Sequence, residues 1–171
     1  MRKTVTLGMA AIALTIAGCA RKQAAPEVAP PVEQAPPGEA AAPGDVELVE
    51  LPAAQADLVA KAGSDTVYFG TDKYDLDEAT RATLAAQARW LIANPNVRAS
   101  IEGHCDERGT REYNMALGER RANAARDFLL SQGVPAARLL VTSWGKERPV
   151  APGSNEEAWA QNRRAVTVLV R

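Results

Sequence analysis

The run Glu102-Gly103-His104-Cys105-Asp106-Glu107-Arg108-Gly109-Thr110 gathers an imidazole, a thiol, three carboxylates and a guanidinium into nine residues. Two kinds of chemistry are open to such a set. One is covalent or metal-assisted: a cysteine nucleophile beside a base, or a metal held by His104, Cys105, Asp106 and Glu107. The other is recognition of a charged ligand. The covalent reading is weak. His104 is the sole histidine of the chain, and zinc sites draw ligands from more than one segment. Neighbours on an extended chain also point to opposite faces. His104 is expected instead as a packing or hydrogen-bonding residue at a strand end. Taken alone, the run reads as a solvated loop with a turn glycine.

A second set lies shortly downstream. Wound at about 100° per residue, Tyr113, Leu117, Ala124 and Phe128 share one stripe of a helix, and Arg120 and Arg121 fall roughly 50° to either side of it. Both are expected at the rim of the core, stems over apolar surface and guanidiniums reaching past it. Neither Arg121→Ala nor Asp106→Asn is then expected to unfold the domain. Arg121 lies about ten residues into the helix, or roughly 15 Å from its start. Asp106 approaches it only if the 104–112 loop folds back.

The elements that must position these groups alternate. Thr66 to Phe69 is a β-rich run ended by Gly70, hence a first strand. Asp77 caps a helix that runs to Ala93, where Asn94-Pro95 stops it. Val97, Ala99 and Ile101 alternate with polar residues up to Gly103 and predict a second strand. The 104–110 loop follows, at the carboxyl end of that strand, where open α/β sheets bind ligands. A longer helix then runs to about Gln132, with Gly133 as its stop. Leu139 to Trp144 is a third strand, 145–162 a loop, and Ala165 to Val170 an apolar run suited to a central strand. The expected fold is α+β, an α/β sandwich of order β-α-β-α-β-β. Its helices pack on a mixed four-stranded sheet, because the last strand follows the third without a helix.

Upstream of 61 the composition changes. Residues 20–60 carry prolines at 26, 30, 31, 36, 37, 43 and 52, and hold two basic residues against seven acidic ones. A Pro/Ala-rich stretch without a periodic apolar face is expected to stay disordered, with at most a short helical turn near Gln55 to Lys61. As extended chain it reaches on the order of 100 Å. The formal net charge of −1 argues against a nucleic-acid partner. Residues 1–18 read as an export signal: Arg2 and Lys3, then an uncharged run to Gly18, too short for a span of about 20 residues. Ile16-Ala17-Gly18-Cys19 has the form of a lipobox, so Cys19 is expected to carry lipid. Cys105 is then left without a partner. The organisation expected is a signal peptide (1–18), a lipid-anchored linker (19–60) and one folded domain (61–171).

Three stretches carry a resemblance. They are Val67 to Asp75, Glu102 to Thr110 and Glu112 to Ala122, continued by Ser143 to Pro149 and Asn162 to Ala165. Over residues 65–171 they resemble the OmpA-like domain of the peptidoglycan-associated lipoproteins, and the lipobox and Pro-rich tether resemble the same family. The resemblance implies a non-catalytic domain, with no cofactor and no metal, that binds the diaminopimelate side chain of the peptidoglycan stem peptide. It puts the ligating aspartate on Asp106 and the ligating arginine on Arg121, with Thr71, Asp72, Asn114 and Leu117 around the same pocket. It also implies TolB and other Tol-system proteins as partners, and a role in envelope integrity and cell division. Ala20, rather than aspartate, follows the lipidated cysteine, so outer-membrane delivery with the domain facing the periplasm is expected. The family often has Ala or Thr where this chain has Cys105. The alternative is a protein–protein interaction module with wall binding secondary, in which Trp159 and the 146–161 loop serve the partner surface unless they simply pack over the sheet.

Overall fold

The computed structural model describes residues 49–171; Cys19, the lipobox and most of the expected linker lie outside them. Four strands, β1 (Thr66–Tyr68), β2 (Arg98–His104), β3 (Leu139–Gly145) and β4 (Arg164–Val170), form one sheet of order β1-β4-β2-β3. β2 and β3 run parallel, while β4 is antiparallel to both β1 and β2. The sheet is mixed, as the sequence predicts, and the apolar last strand is central.

Helices α2 (Glu78–Ala93) and α3 (Arg111–Ser131) bury Leu84, Ala88, Leu91, Ala122, Ala125 and Leu129 in one core with Ala99, Ile101, Ala165 and Leu169 of the strands. Each starts at a side-chain cap. Asp77 Oδ1 accepts from Thr80 N at 2.7 Å, and Thr110 Oγ1 accepts from Tyr113 N at 3.2 Å.

Two elements depart from expectation. Helix α1 spans Pro52–Ala62, so folded structure begins well before residue 61. Pro52 sits in its first turn, where proline is pre-organised for helix. Leu58 is fully buried, and Leu51, Ala54 and Ala62 pack against the same core. The stripe at 51, 54, 58 and 62 exists, but alanines form half of it, and alanine is the strongest helix former. The second departure is α4 (Glu156–Asn162), inside the stretch expected to be loop. Asn155 caps it, its Oδ1 accepting from Ala158 N at 2.9 Å.

Candidate functional site

Glycine sets the geometry where α3 crosses the carboxyl ends of β2 and β3. A Cβ on Gly103 would lie 1.8 Å from the carbonyl oxygen of Gly118, and a Cβ on Gly118 would lie 2.4 Å from Ser143 Oγ. Helix and strand therefore meet backbone to backbone, which brings the first three turns of α3 over the 104–110 loop.

That loop does fold back. Cys105 N donates to Gly145 O at 2.8 Å. Lys146 Nζ donates to the carbonyls of Glu107 and Gly109 at 3.2 and 2.7 Å. Asn114 Nδ2 donates to those of Arg108 and Thr110 at 2.7 and 3.0 Å. Opposite lies the turn Gly70–Lys73, closed by Lys73 N to Gly70 O at 3.2 Å. Asp72 holds a left-handed backbone there, with φ 56°, a conformation that aspartate tolerates better than most residues.

Arg121 joins the two loops. Its Nε donates to Lys73 O at 2.8 Å, Nη1 to His104 O at 2.8 Å and Nη2 to Gly70 O at 3.1 Å, and its guanidinium lies 5.3 Å from the centre of the Phe69 ring. It is 0% exposed. The expectation of a rim residue is therefore corrected for Arg121: the long stem carries the charge inward to three backbone carbonyls, which the side-chain pattern does not reveal. Arg120 is at the edge as expected, exposed and 6.0 Å from the Tyr74 ring centre.

Thr71, Asp72, Asp106, Asn114, Leu117 and Arg121 all line one cavity of about 220 Å³. Arg108 and Tyr113 line it too, and sequence reasoning did not single them out as site residues. The Tyr113 hydroxyl donates to Asp72 Oδ1 and ties α3 to the 70–73 turn. Asp106 is nearly buried, and among the described residues its ion-pair partners are Arg108 at 2.6 Å and Arg163 at 3.5 Å, not Arg121. Burial works to raise its carboxyl, but hydrogen bonds from Arg108 outweigh this and hold it below the ordinary value. Arg163 is itself buried, donating to Phe69 O at 3.1 Å and pairing with Glu156 at 2.7 Å. Its position in the stretch Asn162-Arg163-Arg164-Ala165 was the available signal, but nothing local linked it to Asp106.

The reactive-looking neighbours are directed elsewhere. Cys105 Sγ donates to Asn114 O at 3.3 Å, and burial pushes its thiol up to about 11. It stays protonated near neutrality, which suits packing and not nucleophilic attack. The imidazole of His104 lies on the opposite side of the chain, 3.9 Å from Glu102 Oε2; burial, with help from Arg164 and Arg148, lowers it to about 4. Among the described residues no group of His, Cys, Asp and Glu converges as a metal site. Trp159 meets the 104–110 loop. It lies 4.2 Å from the Arg108 guanidinium and donates through Nε1 to Glu107 at 3.1 Å.

A larger hollow, about 690 Å³, lies between α1 and β4, lined by residues such as Pro52, Val59, Val166 and Val168. Its only charged lining groups are Glu50 and Asp65, so no opposite charges meet there. The smaller cavity is the better candidate, because unlike charges from three separate segments converge on it.

The chain matches the family model of the OmpA family over residues 68–163. It is 47% identical over 158 residues to a peptidoglycan-associated lipoprotein of Agrobacterium fabrum, covering 92% of this chain and 83% of that protein. A counterpart from Brucella melitensis is 43% identical over 161 residues, covering 92% and 87%. The crystal structure of the peptidoglycan-associated lipoprotein from Burkholderia pseudomallei superposes with a TM-score of 0.61 at 45% identity, over 63% of this chain and 91% of that one. The C-terminal domain of Helicobacter pylori MotB shares the fold, with a TM-score of 0.57 at 20% identity over 61% of this chain and 83% of that one. With this family match, and with relatives aligned over nine-tenths of its length, the chain belongs to the peptidoglycan-associated lipoproteins of the OmpA family.

Proposed function

We propose that this chain is a non-catalytic outer-membrane lipoprotein whose domain holds peptidoglycan by the diaminopimelate of the stem peptide. The observation that carries the reading is the pairing of unlike charges across one small cavity, Asp106 on one side and Arg121 on the other. The end of diaminopimelate is a zwitterion. Asp106 suits its ammonium and Arg121 suits its carboxylate. A guanidinium has five N–H groups; three of Arg121's are bonded to backbone carbonyls, which leaves two for a ligand. A stem-peptide lysine, whose own α-groups are tied up in peptide bonds, ends in an ammonium alone and leaves them unmet. Thr71, Asp72, Asn114 and Leu117 shape the walls.

Lipid on Cys19 supplies the anchor, and the stretch between it and the domain supplies the reach. Family membership extends the proposal to TolB and other Tol-system partners, with a role in envelope integrity and cell division. The test is co-sedimentation of the full chain with purified sacculi, with diaminopimelate and Nα-acetyl-lysine amide as competitors. Release by diaminopimelate but not by the blocked lysine is expected, and Asp106→Asn should abolish sedimentation while the domain stays folded. Equal release by both competitors would refute the zwitterion reading. For the anchor, a mass spectrum showing unmodified Cys19 in the mature protein would refute lipidation.

A further inference from the structure

The cavity of the free protein already contains a cation. Arg108 Nη2 lies 2.6 Å from Asp106 Oδ2 and Nε lies 3.1 Å from Oδ1, so one guanidinium covers both carboxylate oxygens. The same Nη2 reaches Thr71 Oγ1 at 3.4 Å, on the opposite wall. We propose that Arg108 is an internal cation seated where a ligand ammonium would go, so that the site is self-occupied until a ligand displaces it. This inference rests on the diaminopimelate reading above and adds its regulation.

The bland alternative is that Arg108 only shapes the loop. Its backbone N–H already donates to Asp106 Oδ1 at 3.1 Å. Lys146 and Asn114 hold the loop carbonyls at 107, 108, 109 and 110. The Arg108 side chain is left as the unneeded member. It is also the more exposed partner: 39% of it is open to solvent against 10% of Asp106.

The seated guanidinium is also stacked 4.2 Å from the Trp159 ring centre, and Trp159 is bonded to Glu107. Glu107 and Glu156 both add to the field at Arg108. These attractions do not depend on Asp106 and would still act on Arg108 once a ligand took its place there.

Titration calorimetry of the full chain, Arg108→Ala and Arg108→Gln with diaminopimelate and with Nα-acetyl-lysine amide tests the idea; the glutamine keeps the stem on Trp159 and removes the charge. Both variants should bind diaminopimelate about three- to tenfold tighter, as expected when a competing occupied state is removed. The blocked lysine should gain by the same factor, because the occupied state competes with both ligands alike. Independently of mutation, the Arg108 Nε–H resonance should shift when diaminopimelate is added to the unaltered chain. If the unaltered chain binds but both variants bind no tighter, or the Nε–H resonance stays in place, the internal cation is refuted and the diaminopimelate reading stands. If the unaltered chain binds neither sacculi nor diaminopimelate, both fall together.

Discussion

The cavity under Arg121 and the groove between α1 and β4 are built by opposite means. The cavity measures about 220 Å³ and the groove about 690 Å³. In the cavity, three backbone carbonyls from two loops hold one buried guanidinium. The groove arises where β1 begins at Thr66, opposite Val166, and leaves the far half of β4 without a neighbouring strand. Residues 49–51 and Gln55 cover that edge: Leu51 N donates to Leu169 O at 3.1 Å, Leu169 N to Gln55 Oε1 at 2.8 Å and Gln55 Nε2 to Thr167 O at 2.8 Å. The helix that carries Gln55 faces the strand with alanines, too small to fill the space. The large volume is a by-product of thin packing, while the small one is held open by charge. Volume alone does not single out the cavity on which unlike charges converge.

The sharpest way to break this contrast is Arg121→Ala. It strands Gly70, Lys73 and His104 carbonyls beneath α3 and should cost roughly 3–5 kcal/mol, read from urea unfolding. A loss under about 1 kcal/mol would mean that Arg121 does not hold the cavity. Leu58→Ala tests the other region. Leu58 is fully buried under α1, and its truncation should cost about 2–4 kcal/mol. An unchanged midpoint would return α1 to the linker.

His104 gives a pH handle that belongs to the cavity end alone, since its carbonyl accepts from Arg121 while its imidazole is buried on the opposite side. The folded protein keeps that imidazole neutral down to about 4, against 6.5 ordinarily. Between those values the unfolded chain binds a proton that the folded one refuses. Stability should therefore fall as pH falls through that window, by at most about 1.4 kcal/mol per unit, with no contribution above it. Urea midpoints from pH 6.5 to 4.5 should show a slope that His104→Gln reduces; an identical slope in the variant would count against the buried neutral imidazole. The smallest effect is expected from Gln55→Ala, about 1–2 kcal/mol for one amide serving two edge groups. A cost equal to that of Arg121→Ala would erase the contrast between the two regions.

Periodicity and caps made the frame legible. Asp77, Asn94-Pro95 and the alternation from Val97 to Gly103 mark elements whose forces are local. Three things were not legible. Helix α1 hides in Pro/Ala-rich composition because its buried face is one leucine at each of 51 and 58 with alanines between and beyond, a weak signal for any search on large apolar residues. Helix α4 lies between Gly153 and β4 in a stretch whose prolines and glycines read as loop. The burial of Arg121 depends on acceptors in the backbone 17 to 51 residues away, and the stacking of Arg108 on Trp159 joins residues from separate elements. The family resemblance, not spacing, implies which residues share a pocket. Winding α3 as a helix placed Arg121 beside its apolar stripe but could not tell which way its stem would turn.

The close approach of Gly103 and Gly118 has a consequence for sequence space. Each glycine's missing side chain is the room in which the other's backbone sits: a Cβ on Gly103 would stand 1.8 Å from Gly118 O, and one on Gly118 would stand 3.0 Å from Gly103 O. No flexible side chain can yield at either of these contacts, so a larger residue at one position cannot be rescued by a smaller one at the other, because nothing is smaller than glycine. A library that randomised both codons and selected for folded protein should return glycine at each. At this crossing, variation is thus left to the residues around the two glycines.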